Sequence, residues 1–314
     1  MKQLLQELEA LRFAFKLIKP PAVVVENIRR ESLLKSSLYS AKIEGNQLSY
    51  ETIKTNLNNK TKAKLEVFNL LTAYKYVYSK KAQKKISLSL IKDLHLKTMK
   101  NLMPHPGEFR HEASAIFNQA GVAIYLTPPP TEIIDRLNRL IKQLNQSPEQ
   151  TLIKAVMTHF WFEKIHPFID GNGRVGRLLT AAIMNQGGFG FNGLVSIEEA
   201  INDKKDVYYQ ALNETKNYQH LTEFLLNLYL EQGKKVFTKL TQPQTEEEST
   251  LPLRRQEILN ILKDHPYASF DFIQRRFLSI NPKTLHYDLK KLQEQKLVIK
   301  IGSTRGAVYQ LIFR

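Results

Sequence analysis

Apolar side chains return every three or four positions through almost all of residues 1–235, and a chain patterned this way buries a core by packing helices together. The period is clearest in 26–45, 61–79, 87–102, 131–146, 151–165 and 221–240, and the opening MKQLLQELEALRFAFKLI shares it. One stretch breaks it. Residues 112–130, EASAIFNQAGVAIYLTPPP, hold short apolar runs interrupted by Asn118 and Gly121 and stopped by three prolines, which predicts a β-hairpin or extended flap. The expected fold class is mainly α: a helical core with a β-hairpin flap, followed by a smaller module.

That module comes after TQPQTEEESTLP (241–252), a polar, acidic, proline-bearing segment read as a linker. Residues 254–265, 269–277 and 281–297 predict three helices, with Ser269 capping the second and Asn281 capping the third ahead of Pro282. Residues 298–312 predict two strands about a glycine-flanked turn, so 253–314 reads as a small winged helix-turn-helix domain. The expected division is an N-terminal helical region over 1–105, a core with the flap over 106–240, the linker, and this domain. Net charge is +16 and uneven. Residues 251–314 hold twelve Lys/Arg against five Asp/Glu and the first 250 hold 34 against 25, so the tail is about three times as densely basic. Thr284, His286 and Lys290 on its third helix and Arg305 in the wing turn could approach DNA, but winged modules also bind proteins, and both partners stay open.

Several classes fall away. With no cysteine there is no disulfide, thiolate zinc site or cysteine nucleophile. No apolar run approaches the roughly 20 residues of a membrane helix. The first residues lack the compact apolar stretch and small-residue cleavage site of a secretory signal. The expectation is a cytoplasmic protein with no membrane partner.

The chemistry concentrates in HPFIDGNGRVGR, residues 166–177. Pro167 disfavours helical geometry at His166 and ends the preceding helix at Ile165. Gly171-Asn172-Gly173 then predicts a tight turn, with the helix resuming from Arg174 to Met184. A turn feeding a helix N-terminus presents unpaired backbone N–H groups and the positive end of a helix dipole, a natural anion cradle. Arg174 and Arg177, three apart, add forks for phosphate oxygens. Asp170 can hold a magnesium ion bridging those oxygens, and His166 can take a proton from an incoming hydroxyl. These are the parts of a nucleotide-phosphate transfer site. No Gly-Lys-Ser/Thr follows, so it is not a Walker loop.

The same twelve residues resemble the signature of the Fic family, His-x-Phe-x-Asp/Glu-Gly-Asn-Gly-Arg-x-x-Arg. His166, Phe168, Asp170, Gly171, Asn172, Gly173, Arg174 and Arg177 fill every specified position. The resemblance implies transfer of AMP from ATP to a Ser, Thr or Tyr hydroxyl of a target protein, or of the chain itself, with release of pyrophosphate. His166 would be the base and Asp170 the Mg²⁺ ligand. Gly171 to Gly173 would hold the phosphates with the turn that continues through Val175 and Gly176, while Arg174 would reach the β-phosphate and Arg177 the γ-phosphate. Phe168 would anchor the loop in the core. The intact second glycine and second arginine favour ATP over other phosphate-containing groups.

A second stretch, SAKIEGN (40–46), places Ser40 and Glu44 on one helical face with Gly45 as a terminator. It is similar to the family's inhibitory helix, Ser/Thr-x-x-x-Glu-Gly/Asn. That resemblance implies that Glu44 pairs with Arg177 and withholds it from ATP. Residues 106–130 resemble the family's flap, where Ile116 or a neighbour would clamp the target. Tyr208 and Tyr209 resemble a position near the adenosine, and being adjacent on a helix only one of them would face it. His105 and His111 read as surface residues. A homodimer is a further expectation from similar proteins. Two other readings stay open: removal of AMP or transfer of another nucleotidyl group at the same site, and a non-enzymatic DNA-binding regulator with a nucleotide-sensing core.

Overall fold

Local chemistry sets where the predicted helices begin and stop. In the computed structural model the first 241 residues form α1 (Lys2–Leu17), α2 (Ala22–Ile43), α3 (Tyr50–Thr55), α4 (Lys62–Val77), α5 (Leu88–Met99), β1 (Ala115–Phe117), β2 (Ala123–Leu126), α6 (Ile133–Gln146), α7 (Thr151–Ile165), α8 (Asn172–Gln186), α9 (Glu198–Asp203), α10 (Lys205–Asn213) and α11 (Gln219–Thr241). The hydroxyls of Thr61 and Ser87 cap α4 and α5 by accepting from Lys64 N–H and Leu90 N–H. The C-terminus of α2 is a Schellman turn: Gly45 has φ +103°, its N–H donates to Lys42 O, and the Asn46 N–H donates to Ala41 O. The structure describes residues 1–55, 61–79, 85–117, 122–214, 217–241, 251–277, 280–303 and 306–312; Asn118, Gly121, most of the predicted linker and Arg305 lie outside them.

The described chain divides into two units, Met1–Lys19 with Ile28–Leu240, and Pro20–Asn27 with Thr241–Arg314. In the larger unit α7 and α8 pack along each other. Leu152, Val156, Met157, Phe160, Phe162 and Ile165 on α7, and Val175, Leu178, Leu179, Ala182, Ile183 and Met184 on α8, are all buried. A helix covered on most sides belongs at the centre of a core, and α4, α5 and α6 complete the cover. The loop between α7 and α8 is therefore held at both ends by the most buried part of the molecule.

The flap is the predicted hairpin: β1 and β2 are antiparallel, with Ala115 opposite Leu126 and Ile116 opposite Tyr125. One prediction shifts. The helix α8 starts at Asn172, two residues before the expected Arg174. Within Gly171–Gly173 only Gly171 is left-handed, with φ +85°, and the Asn172 side chain bonds both the N–H and the C=O of Phe168 at 2.9 and 2.8 Å, so the turn is closed by one glycine and one amide.

The smaller unit contains α12 (Leu253–Asp264), β3 (Ala268–Ser269), α13 (Phe270–Gln274), α14 (Pro282–Glu294), β4 (Val298–Ile301) and β5 (Val308–Leu311). Ser269 and Asn281 cap α13 and α14. Ile258, Leu262, Ile273, Leu285, Leu289, Leu292, Val298 and Tyr309 form its core. The strands make an antiparallel sheet in the order β3-β5-β4, and Arg254 and Arg255 of α12 pair with the buried Asp288 of α14. The second helix is shorter than the expected 269–277 because Arg276 and Phe277 turn their N–H groups to acceptors three residues back.

Candidate active site

His166 caps α7 in left-handed geometry, φ 47° and ψ 61°, with its N–H bonded to Phe162 O at 2.9 Å. Its ring Nδ1 donates to the Glu163 carbonyl at 3.3 Å, which leaves Nε2 without a proton in the neutral ring. Burial holds the imidazole below its ordinary pKa, opposed by that hydrogen bond and assisted by the charge of Arg110. A half-buried, neutral imidazole with an unprotonated nitrogen can accept a proton from a neighbouring hydroxyl.

Phe168 is fully buried and stacks on His95, ring centroids 3.7 Å apart. His95 also ties two loops. Gly107 N–H donates to its Nδ1 at 2.7 Å, so Nε2 carries the proton and donates to Asp170 O at 3.0 Å. Burial depresses the ring's pKa to about 4, which keeps this tautomer neutral. A Cβ on Gly171 would press against the Met99 sulfur, so the loop passes His95 and Met99 with no room for a side chain there.

Beyond Gly171 the first helical hydrogen bond is Val175 N–H to Gly171 O, so the N–H groups of Asn172, Gly173 and Arg174 have no intrahelical acceptor. Asp170 stands beside them with its side chain 61% exposed. Its Oδ1 accepts from Gly171 N–H at 2.6 Å and from Arg174 at 2.5 Å. Burial works to raise its pKa, but Arg174 prevails and holds it below the ordinary value. The second carboxylate oxygen makes no hydrogen bond among the described residues.

Both arginines are held. Arg174 is clamped between Asp170 and Glu66, the latter also at 2.5 Å, and Glu66 in turn accepts from Asn46 Nδ2 at 2.8 Å. Arg177 is 4% exposed and, among the described residues, bonds α2 and its cap: Nε to Ser40 Oγ at 2.9 Å, and one terminal nitrogen to Ser40 O and Glu44 Oε1, both at 2.8 Å. Burial opposes its charge, yet Glu44 wins and raises its pKa. Along α2 and its C-terminal cap, Ser36, Ser40 and Glu44 stand four residues apart on one face. Ser36 bonds the buried Glu198, which also accepts from Tyr74, and this sets the helix so that Ser40 and Glu44 meet Arg177. The Glu44 carboxylate lies over the first turn of α8; a Cβ on Gly173 would collide with its Oε1.

Behind Arg177 lies a second polar group. His159, depressed to about 4 by burial, bonds the hydroxyl of the buried Tyr208 at 2.7 Å. Glu163 is raised to about 8, first by burial and then by Glu44. A Cβ on Gly176 would collide with Glu163, and Val175 faces the core. The half-buried Tyr209 bonds Ile43 O at the end of α2, at 3.3 Å. Of the two tyrosines, only Tyr209 has an accessible edge. Ile116 sits half-buried in β1, and His105 and His111 are exposed. The structure thus brings Ser40, Glu44, His166, Asp170 and residues 171–177 into one place. His95, Arg110, Glu66, His159 and Glu163 join them without having been singled out by sequence; the one available signal was a histidine on the apolar face of the 87–102 helix.

The residues fit a magnesium–triphosphate ligand. Arg177 and Arg174 each keep, among the described residues, a buried nitrogen without a partner, NH1 and Nε, next to the open N–H groups of α8. Among the described residues no three His, Asp or Glu side chains form a metal cluster, and magnesium held by one carboxylate and substrate phosphates needs none.

Residues 85–184 match the model of the Fic/DOC family. "Protein adenylyltransferase Fic" of Drosophila erecta is 27% identical over 197 residues, 59% of this chain and 39% of that protein, and its Drosophila melanogaster counterpart is 26% identical over the same length. The match thus spans about two fifths of these curated relatives. A Fic family protein from Desulfovibrio desulfuricans G20 shares the fold with a TM-score of 0.68 at 20% identity, covering 99% of this chain and 95% of its own. Fic-1 from C. elegans superposes with a TM-score of 0.62 at 21% identity, over 75% of this chain and 71% of its own. Residues 85–184 of this chain are a domain of the Fic/DOC family.

Proposed function

We propose that the chain is a protein adenylyltransferase, restrained by its own α2. ATP binds with its phosphates over the N-terminus of α8, cradled by the N–H groups of 172–174 and by Arg174. His166 Nε2 takes the proton of a Ser, Thr or Tyr hydroxyl; the oxygen attacks the α-phosphorus, the bond to the bridging oxygen breaks, and pyrophosphate leaves. Magnesium at Asp170 would offset the charge gathering on the departing group. The restraint follows from Arg177. While Ser40 and Glu44 hold it, it cannot meet the γ-phosphate, and the Glu44 carboxylate occupies the approach to Gly173 that an anion would use.

The observation that carries the reading is the convergence, on one α7–α8 loop, of a neutral imidazole with an open Nε2, an exposed carboxylate, and a helix N-terminus already answered by a glutamate. Similarity to the "Protein adenylyltransferase Fic" relatives supports the reaction class. The test is lysate labelling with tagged ATP: Glu44→Gly should label target proteins and the chain itself more than wild type, and His166→Ala should label none. Equal labelling of wild type and Glu44→Gly would remove the brake from the account. The target is a protein segment presented along the flap by strand addition.

A further inference from the structure

Arg110 is a buried cation with no acid to answer it. It is 2% exposed, no carboxylate pairs with it among the described residues, and desolvation is what lowers its pKa. Its fork meets three carbonyls instead: Nε donates to His166 O at 2.8 Å, and the two terminal nitrogens donate to Glu112 O at 2.7 Å and Pro128 O at 2.6 Å. Its backbone N–H adds a bond to Pro167 O at 2.9 Å. Glu112 lies three residues before β1 and Pro128 two after β2, so two of these carbonyls bracket the flap. The third belongs to His166, whose positive φ is a conformation that non-glycine residues keep only where the surroundings fix it. All three nitrogens of one planar group meet at this junction, which an ammonium cannot reproduce.

We propose that Arg110 is a positioning residue: it fixes the backbone of His166 to both ends of the flap, so one side chain sets the imidazole and the strand that presents the target hydroxyl. The consequence for rate rests on the AMP-transfer reading; the mechanical coupling does not.

The experiment is hydrogen–deuterium exchange on the full chain, comparing wild type, Arg110→Lys and Thr127→Val. Lysine keeps the charge but cannot span three acceptors, so peptides over 112–128 and over 163–172 should both exchange faster. Thr127→Val removes only the hydroxyl bond to Ser114 O within the flap, and should speed the flap alone. In the Glu44→Gly background, Arg110→Lys should lower kcat by about 100-fold, the order expected for misplacing a reacting group by about 1 Å, with ATP Kd unchanged. Faster exchange in one segment without the other, or an unchanged kcat, overturns the proposal. If Glu44→Gly itself transfers no AMP, the functional reading fails while the exchange data still decide the coupling. Should Arg110→Lys melt below the assay temperature, native-state exchange of the wild-type chain in rising denaturant replaces it: the flap and the His166 loop opening as one unit support the proposal, and the flap opening alone refutes it.

Discussion

As the base of the proposed transfer, His166 must be unprotonated, and the loop holds it in that form. Burial lowers its pKa, which extends the working range downward, so the pH–rate profile of Glu44→Gly should stay level through neutral pH and fall only below the ordinary histidine value of 6.5. An acid limb above 6.5 would contradict the assignment. His95 carries a stability prediction with the same sign. Its folded pKa is about 4 against an ordinary 6.5, so its contribution is complete above 6.5 and drains as pH falls toward 4, when a proton on Nδ1 would face the Gly107 N–H. His95→Phe keeps a ring beside Phe168 but leaves Gly107 N–H and Asp170 C=O unpaired. Chemical denaturation at pH 7 should show a loss of about 2–4 kcal/mol, with a shallower acid decline than wild type. The motif residues were legible in the sequence because their chemistry lies within twelve consecutive positions. His95, Arg110 and Glu66 were not, because their partners in the loop lie 75, 56 and 108 residues away and no local pattern marks them.

At the scale of elements, the site is a meeting of α2, α4, α8 and the α7–α8 loop. The Schellman turn at Gly45 ends α2 at Ile43, leaves Glu44 at its cap and sends Asn46 to Glu66, so one turn touches both arginines, Arg177 directly and Arg174 through α4. Glu44→Gly should cost about 3 kcal/mol in a melting experiment, the lower end for breaking a buried pair, since Glu44 is 28% exposed and Ser40 still holds Arg177. Glu66→Gln weakens one charge-assisted bond to Arg174 and should reduce kcat of Glu44→Gly roughly tenfold; no change would deny Arg174 a role set by α4. Helical periodicity revealed most of these elements, and the break in it, with short apolar runs stopped by three prolines, revealed the flap. The start of α8 was misread because Gly-Asn-Gly reads as a turn throughout, whereas the Asn172 amide closes the loop and lets the helix begin there.

For the whole molecule, two units divide the labour proposed here. The smaller unit exposes Lys283, His286, Tyr287 and Lys290 on α14, with His286 stacked on Phe270. If this face meets DNA phosphates, gel shifts of the full chain should weaken steeply with salt, and Lys283→Glu with Lys290→Glu should flatten that slope; salt-independent or absent binding would leave a protein partner for the unit. The three-helix pattern and both caps were readable from residues 253–314, but the partner was not, since basic helices serve both roles. The larger unit carries the central claim, that Glu44 restrains Arg177 and His166 performs the transfer. Intact-protein mass spectrometry after incubation with ATP and Mg²⁺ tests it most directly, using wild type, Glu44→Gly and the Glu44→Gly/His166→Ala double variant. The account predicts a mass gain of AMP that is strong in Glu44→Gly, weak in wild type and absent in the double variant. A gain that persists without His166, or one no greater in Glu44→Gly than in wild type, would contradict it.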